Sequence, residues 1–126
     1  MSWQAYVDTN LVGTGKVSQG VIFGLSGGVW ASSPGFTVQP NEIQEIIKGF
    51  ADNDSVRANG VHVNGTKYLT LSADGRSIYG KKGSTGCCLV KTTQAVLVAI
   101  YNDKIQPGEC TKVTEGLADY LISVGY

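Results

Sequence analysis

The chain is poor in histidine, cysteine, proline and net charge: it holds one His, three Cys and three Pro, and ten Lys and Arg balance ten Asp and Glu over 126 residues. Each scarcity removes a class of function. A single histidine cannot build a multi-histidine metal centre, and His62 in "GVHVNG" alternates with Val61 and Val63, which directs it to the solvated face of a strand. An odd cysteine count supports no disulfide framework. Cys87 and Cys88 are adjacent in a strand-like run, so their side chains leave on opposite faces; a reducing cytosol suits them. A formal net charge of zero gives no pull toward nucleic acid. The longest apolar run, "AVLVAIY" at 95–101, is too short to cross a bilayer, and no basic segment followed by an apolar stretch marks a signal peptide. No nucleophile, base and orienting group stand out as a set, so no catalytic residue, cofactor or metal is expected.

What the chain has in quantity is glycine, seventeen residues, mostly between short apolar runs. "GTGKVSQG" at 13–20 leads into a strand rather than a helix, and "GKKGSTG" at 80–86 has the parts of a phosphate loop in the wrong order. Both read as turns, as does "NGT" at 64–66. Length alone argues for one domain, 1–126.

Ser2 can cap a helix over 3–12, with Val7 and Leu11 one turn apart and Gly13 as a stop. Strands follow at 20–25 and 28–33 around "SGG". A second helix covers 39–50, with Pro40 at its start and Ile43, Ile46, Ile47 and Phe50 on one face; "DNDS" then breaks it. Residues 60–101 hold five short strand-like runs joined by turn chemistry, which makes an antiparallel meander. "AVLVAIY" barely alternates and reads as a central strand covered on both faces. A last helix starts at "QPGE" with Val113, Leu117, Leu121 and Val124 along its stripe. The order predicts an α+β domain, an antiparallel sheet covered by helices on both faces.

Two features point to function. Five basic residues, Lys67, Arg76, Lys81, Lys82 and Lys91, stand against one acid, Asp74, a local balance of five minus one, or +4. They form either a basic stripe or a set of ordinary solvated positions. Large rings also gather at the chain ends: Trp3 and Tyr6 on the first helix, Tyr120 on the last, Tyr126 beyond it, and Trp30 on the second strand. If the terminal helices lie side by side, these rings can line one exposed groove suited to polyproline II segments. The alternative is that they cap the core.

"MSWQAYVDTNLVGTG", "GGVWASSPGF", "RSIYGKKGSTG", "YNDKIQPGE" and "LADYLISVGY" together closely resemble profilin, most strongly the fungal and amoebal members. The resemblance covers essentially the whole chain. It implies a central antiparallel sheet with the N- and C-terminal helices on one face and smaller helices on the other. It also implies a cytoplasmic, cytoskeletal protein that binds monomeric actin, regulates its polymerisation and docks proline-rich segments of formin-type partners. Some members bind phosphatidylinositol 4,5-bisphosphate, so a membrane-surface module with weak actin binding is the alternative. The polyproline positions it implies are Trp3, Tyr6, Trp30, Tyr120, Leu121 and Tyr126. The actin positions are Lys67, Arg76, Lys81, Lys82, Lys91, Ile105, Gly108, Lys112 and Glu115. The chain departs from relatives at Gly116, where amoebal members carry lysine, and at Ser72, where arginine is frequent.

Overall fold

The computed structural model describes residues 2–126. Seven strands form one antiparallel sheet: β1 (Gln19–Gly24), β2 (Val29–Ser32), β3 (Val61–Val63), β4 (Thr66–Ala73), β5 (Ser77–Lys82), β6 (Thr85–Lys91) and β7 (Ala95–Tyr101), ordered β2-β1-β7-β6-β5-β4-β3. The β3–β4 connection is the two-residue "NG" turn, with Asn64 and Gly65 both at positive φ (51° and 77°), the backbone a tight twisted hairpin requires. Every residue of β7 is buried, as a strand paired on both edges and covered on both faces must be.

Strand alternation splits the core in two. Phe23, Leu89, Val98 and Cys87 face one way, toward helices α2 (Pro40–Ala51) and α3 (Asn53–Asn59), with Ile43, Ile46, Phe50 and Val56. Ile22, Val90, Leu97 and Cys88 face the other way, toward the N-terminal helix and α4 (Pro107–Ser123), with Val7, Leu11, Cys110, Leu117 and Leu121. The adjacent cysteines therefore lie on opposite faces, and all three thiols are free and buried. The terminal helices share one face and the shorter pair the other. No helix among the described residues is long and apolar enough to cross a membrane.

Three sequence expectations change. The "DNDS" stretch ends α2 but also starts α3: Asp52 leaves the helical region (φ −127°, ψ 82°) and its carboxylate accepts from the Ser55 N–H at 3.3 Å. Only Val56 of α3 is buried, so no apolar periodicity announces the helix. The first helix is an α-turn, α1 (Trp3–Ala5), followed by a π-helical stretch (Tyr6–Leu11) and a 3-10 turn (Val12–Thr14). A side chain at Gly13 would meet the Asp8 carbonyl oxygen at 2.6 Å, so this close return needs glycine. Val124 is not on the buried stripe of α4: it is the C-cap and half-exposed, and Cys110, Thr114, Leu117, Ala118 and Leu121 fill that stripe.

Glu42 ties the α2 side together. Its buried carboxylate accepts from the backbone N–H groups of Gln39 (2.8 Å), Asn64 (2.9 Å) and Gly65 (2.8 Å), joining the start of α2 to the β3–β4 turn. His62 stays at the surface, its Nδ1 2.8 Å from Glu45 Oε1.

Candidate functional site: a ring platform and a sheet face

The N-terminal helix is held where its rings are needed. Ser2 Oγ accepts from the Ala5 N–H (3.1 Å), and Gln4 Nε2 donates to the Ser32 carbonyl (2.9 Å), fastening the helix to the edge strand β2 that carries Trp30. At the other end α4 closes in a Schellman arrangement: Tyr126 N–H donates to the Leu121 carbonyl (2.8 Å), Gly125 N–H to that of Ile122 (3.1 Å), and Gly125 takes φ 97°. The main-chain oxygen of Tyr126 accepts from Gln94 N–H (2.6 Å) and Thr92 Oγ1 (2.7 Å). A terminal tyrosine that would otherwise fray is thereby fixed.

These restraints bring five rings from three parts of the chain into one connected cluster. Trp3 is its centre, 4.5 Å from Trp30, 5.0 Å from Tyr126 in an edge-on arrangement and 5.4 Å from Tyr6, which in turn lies 6.3 Å from Tyr120. None is sealed inside: Tyr120 and Tyr126 are exposed and the other three partly so. Trp30 lies over Gly24, where a Cβ would come within 2.9 Å of its indole nitrogen. Burial, and then the neighbouring Tyr120 phenol, raises the Tyr6 pKa above its ordinary value. Leu121 is different. It is fully buried beneath the rings and offers a ligand no surface.

The family profile described as "Profilin" matches residues 1–126. The chain belongs to the profilin family. It is 56% identical to profilin-1A of Acanthamoeba castellanii, with the whole of both chains aligned. The solved structure of A. castellanii profilin IB superposes with a TM-score of 0.97 at 55% identity, over 99% of this chain and 100% of that one. A mouse profilin IIa, solved in complex with a double repeat from the FH1 domain of mDia1, shares the fold at 22% identity and a TM-score of 0.83, over all of both chains.

The basic positions do not form one stripe on this profilin. Side chains alternate along a strand, so neighbouring Lys81 and Lys82 leave opposite faces, and Lys91 follows Cys87 and Leu89 toward the α2 face. Cross-strand register places Leu69 beside Lys81, Lys81 beside Gly86 and Gly86 beside Tyr101, on the α4 face. Lys67 shares that parity on β4. Arg76 is not a free cation: its Nη2 lies 3.1 Å from Glu115 Oε1 and 2.6 Å from Asp119 Oδ1. Gly108 and Lys112 are exposed on α4, while Ile105 is partly buried against the core.

Sequence reading missed the apolar part of this face. Leu69 and Leu71 of β4 are 68% and 62% exposed. Between them Thr70 turns in and donates to the Val56 carbonyl at 2.6 Å. The leucines turn out on the α4 side of the sheet, beyond α4, which packs on β6 and β7.

Proposed function

We propose that this profilin is a non-enzymatic adaptor with two separate docking surfaces, one for monomeric actin and one for proline-rich segments of formin-type partners, and that it regulates actin polymerisation by delivering monomers to filament barbed ends and suppressing spontaneous nucleation. Promotion of nucleotide exchange on actin belongs to the same reading. The observation that carries the proline-binding half is the five-ring cluster. A polyproline II segment is preformed, so little entropy is lost when it docks, and its unpaired carbonyls can take the N–H of Trp and the O–H of Tyr. The mouse relative solved with an FH1 repeat supports the same ligand class.

The actin-binding half rests on the face where exposed Leu69 and Leu71 lie with Lys67 and Lys81, alongside Gly108 and Lys112 of α4. Apolar residues rimmed by cations complement an acidic partner surface. Capturing a proline-rich arm on one surface and an actin monomer on the other raises the monomer's effective concentration near a filament end. Exposed Lys67 and Lys81, which share one face, also favour a second reading, attraction to phosphoinositide headgroups at a membrane surface.

Parallel titrations test both halves: a proline decamer and monomeric actin, each over a range of salt. Both should bind, and actin binding should weaken as salt rises, because exposed charges are screened beyond about 10 Å at 0.1 M. Failure to bind the decamer removes the adaptor reading. Binding to phosphoinositide vesicles without binding to actin selects the membrane reading.

A further inference from the structure

Glu115 stands at the meeting point of the two elements that build the proposed actin face. One carboxylate oxygen accepts from Ser77 Oγ at 2.7 Å and from the Tyr79 hydroxyl; the other lies 3.1 Å from Arg76 Nη2. Ser77 and Tyr79 belong to β5 and Arg76 to the turn before it, so three donors from one strand region converge on one carboxylate of α4. Asp119, one helical turn on, takes Arg76 as well, at 2.6 Å. Both carboxylate oxygens are occupied and the side chain is only 23% exposed. A group so committed is a poor candidate for a direct contact with an incoming partner, because meeting a new donor would strip one it already has.

We propose that Glu115 is a positioning residue for actin binding: it acts through Tyr79 and Arg76 to set α4, with Gly108 and Lys112, at a fixed height and angle to the β4–β5 surface that carries Leu69, Leu71 and Lys81. The inference rests on the two-surface reading given above. On this side α4 packs chiefly on β6 and β7, and the network at Glu115 is its polar tie to β5. Interfaces lose affinity steeply when two halves of a contact surface are misaligned, even with every contact residue present. Burial, followed by the Glu115 hydrogen bond, also holds the Tyr79 phenol well above its ordinary pKa, giving the tie a spectroscopic marker.

The test is a double-mutant cycle on actin affinity with Glu115→Gln, Tyr79→Phe and the double variant, each checked for wild-type affinity toward a proline decamer as evidence of a folded protein. Each single change should weaken actin binding about three- to tenfold, and the double should be no weaker than the worse single, because both break the same tie. The Tyr79 ionisation, followed by phenolate absorbance, should move to lower pH in Glu115→Gln. Multiplying effects would mean that Glu115 does not act through Tyr79, and unchanged actin affinity in the singles would mean that the tie serves only the fold; either overturns the inference. If the wild-type protein fails to bind actin, it is the two-surface reading that falls.

Discussion

Replacing Trp3 with alanine removes the ring on which the cluster is centred. Three other rings lie within 5.4 Å of it, and each such pair is worth about 0.5–1.5 kcal/mol beyond the area it buries. Part of that loss falls on the fold, since the N-terminal helix is also anchored by buried Val7 and Leu11 and by the Gln4 bond to β2, which the substitution leaves in place. The loss to a ligand is estimated separately. A partly exposed indole that gives roughly 80 Å² of apolar surface to a proline segment contributes about 2 kcal/mol, or roughly thirtyfold in affinity. Trp30 and Tyr126 also lose the neighbour that orients them, so Trp3→Ala should weaken binding of a proline decamer by at least this factor. Trp3→Phe, which keeps a smaller ring, should cost less than about tenfold. The titration can be read from the fluorescence of the remaining Trp30, with thermal melting and actin binding as controls. A folded Trp3→Ala protein within threefold of the wild-type affinity would refute the platform argument. Joint loss of decamer binding, actin binding and the melting transition would identify unfolding as the cause.

The other expectations concern single observations. Gly24→Val should displace the Trp30 indole, which a Cβ at residue 24 already approaches to 2.9 Å, and reduce decamer affinity with little change in actin binding. Leu69→Ser with Leu71→Ser should leave the melting temperature within a few degrees, since both side chains are exposed, yet weaken actin binding by about tenfold or more; unchanged binding removes these leucines from the interface. Glu42→Ala strands three backbone N–H groups, and at about 1 kcal/mol for each lost acceptor should cost roughly 3 kcal/mol, measurable by urea unfolding. Asp74 accepts from the N–H groups of Ser77 and Arg76, which hold its pKa below the ordinary value. Its stabilising contribution is therefore present above about pH 4 and lost as pH falls through the lowered folded value, and Asp74→Asn should flatten the acid limb of the stability profile. Burial pushes the thiols of Cys87 and Cys110 up to about 12 and about 11, so the native protein should react with a thiol reagent only at its unfolding rate, and fast labelling at neutral pH would contradict this.

What the sequence determined by itself was whatever depends on residues close together in the chain. "NG" at 64–65 makes a hairpin because those two residues tolerate positive φ, "AVLVAIY" makes a doubly covered strand because nothing in it needs water, and adjacent Cys87 and Cys88 must part because strand side chains alternate. The rings at the two chain ends were visible as a collection, but their meeting depends on two helices docking side by side and on the Gln94 and Thr92 bonds that hold Tyr126. Tertiary structure alone decided the fate of the charges and of the apolar residues at the edge of the core. Arg76 reads as a free cation until α4, some forty residues away, brings Glu115 and Asp119 to it. Nothing in the sequence assigns Leu69 and Leu71 to the surface; their exposure follows from α4 settling chiefly on β6 and β7. Turn and strand preferences are energies of a few neighbouring dihedral angles, whereas pairing and exposure are fixed by which distant surfaces pack together in the folded chain.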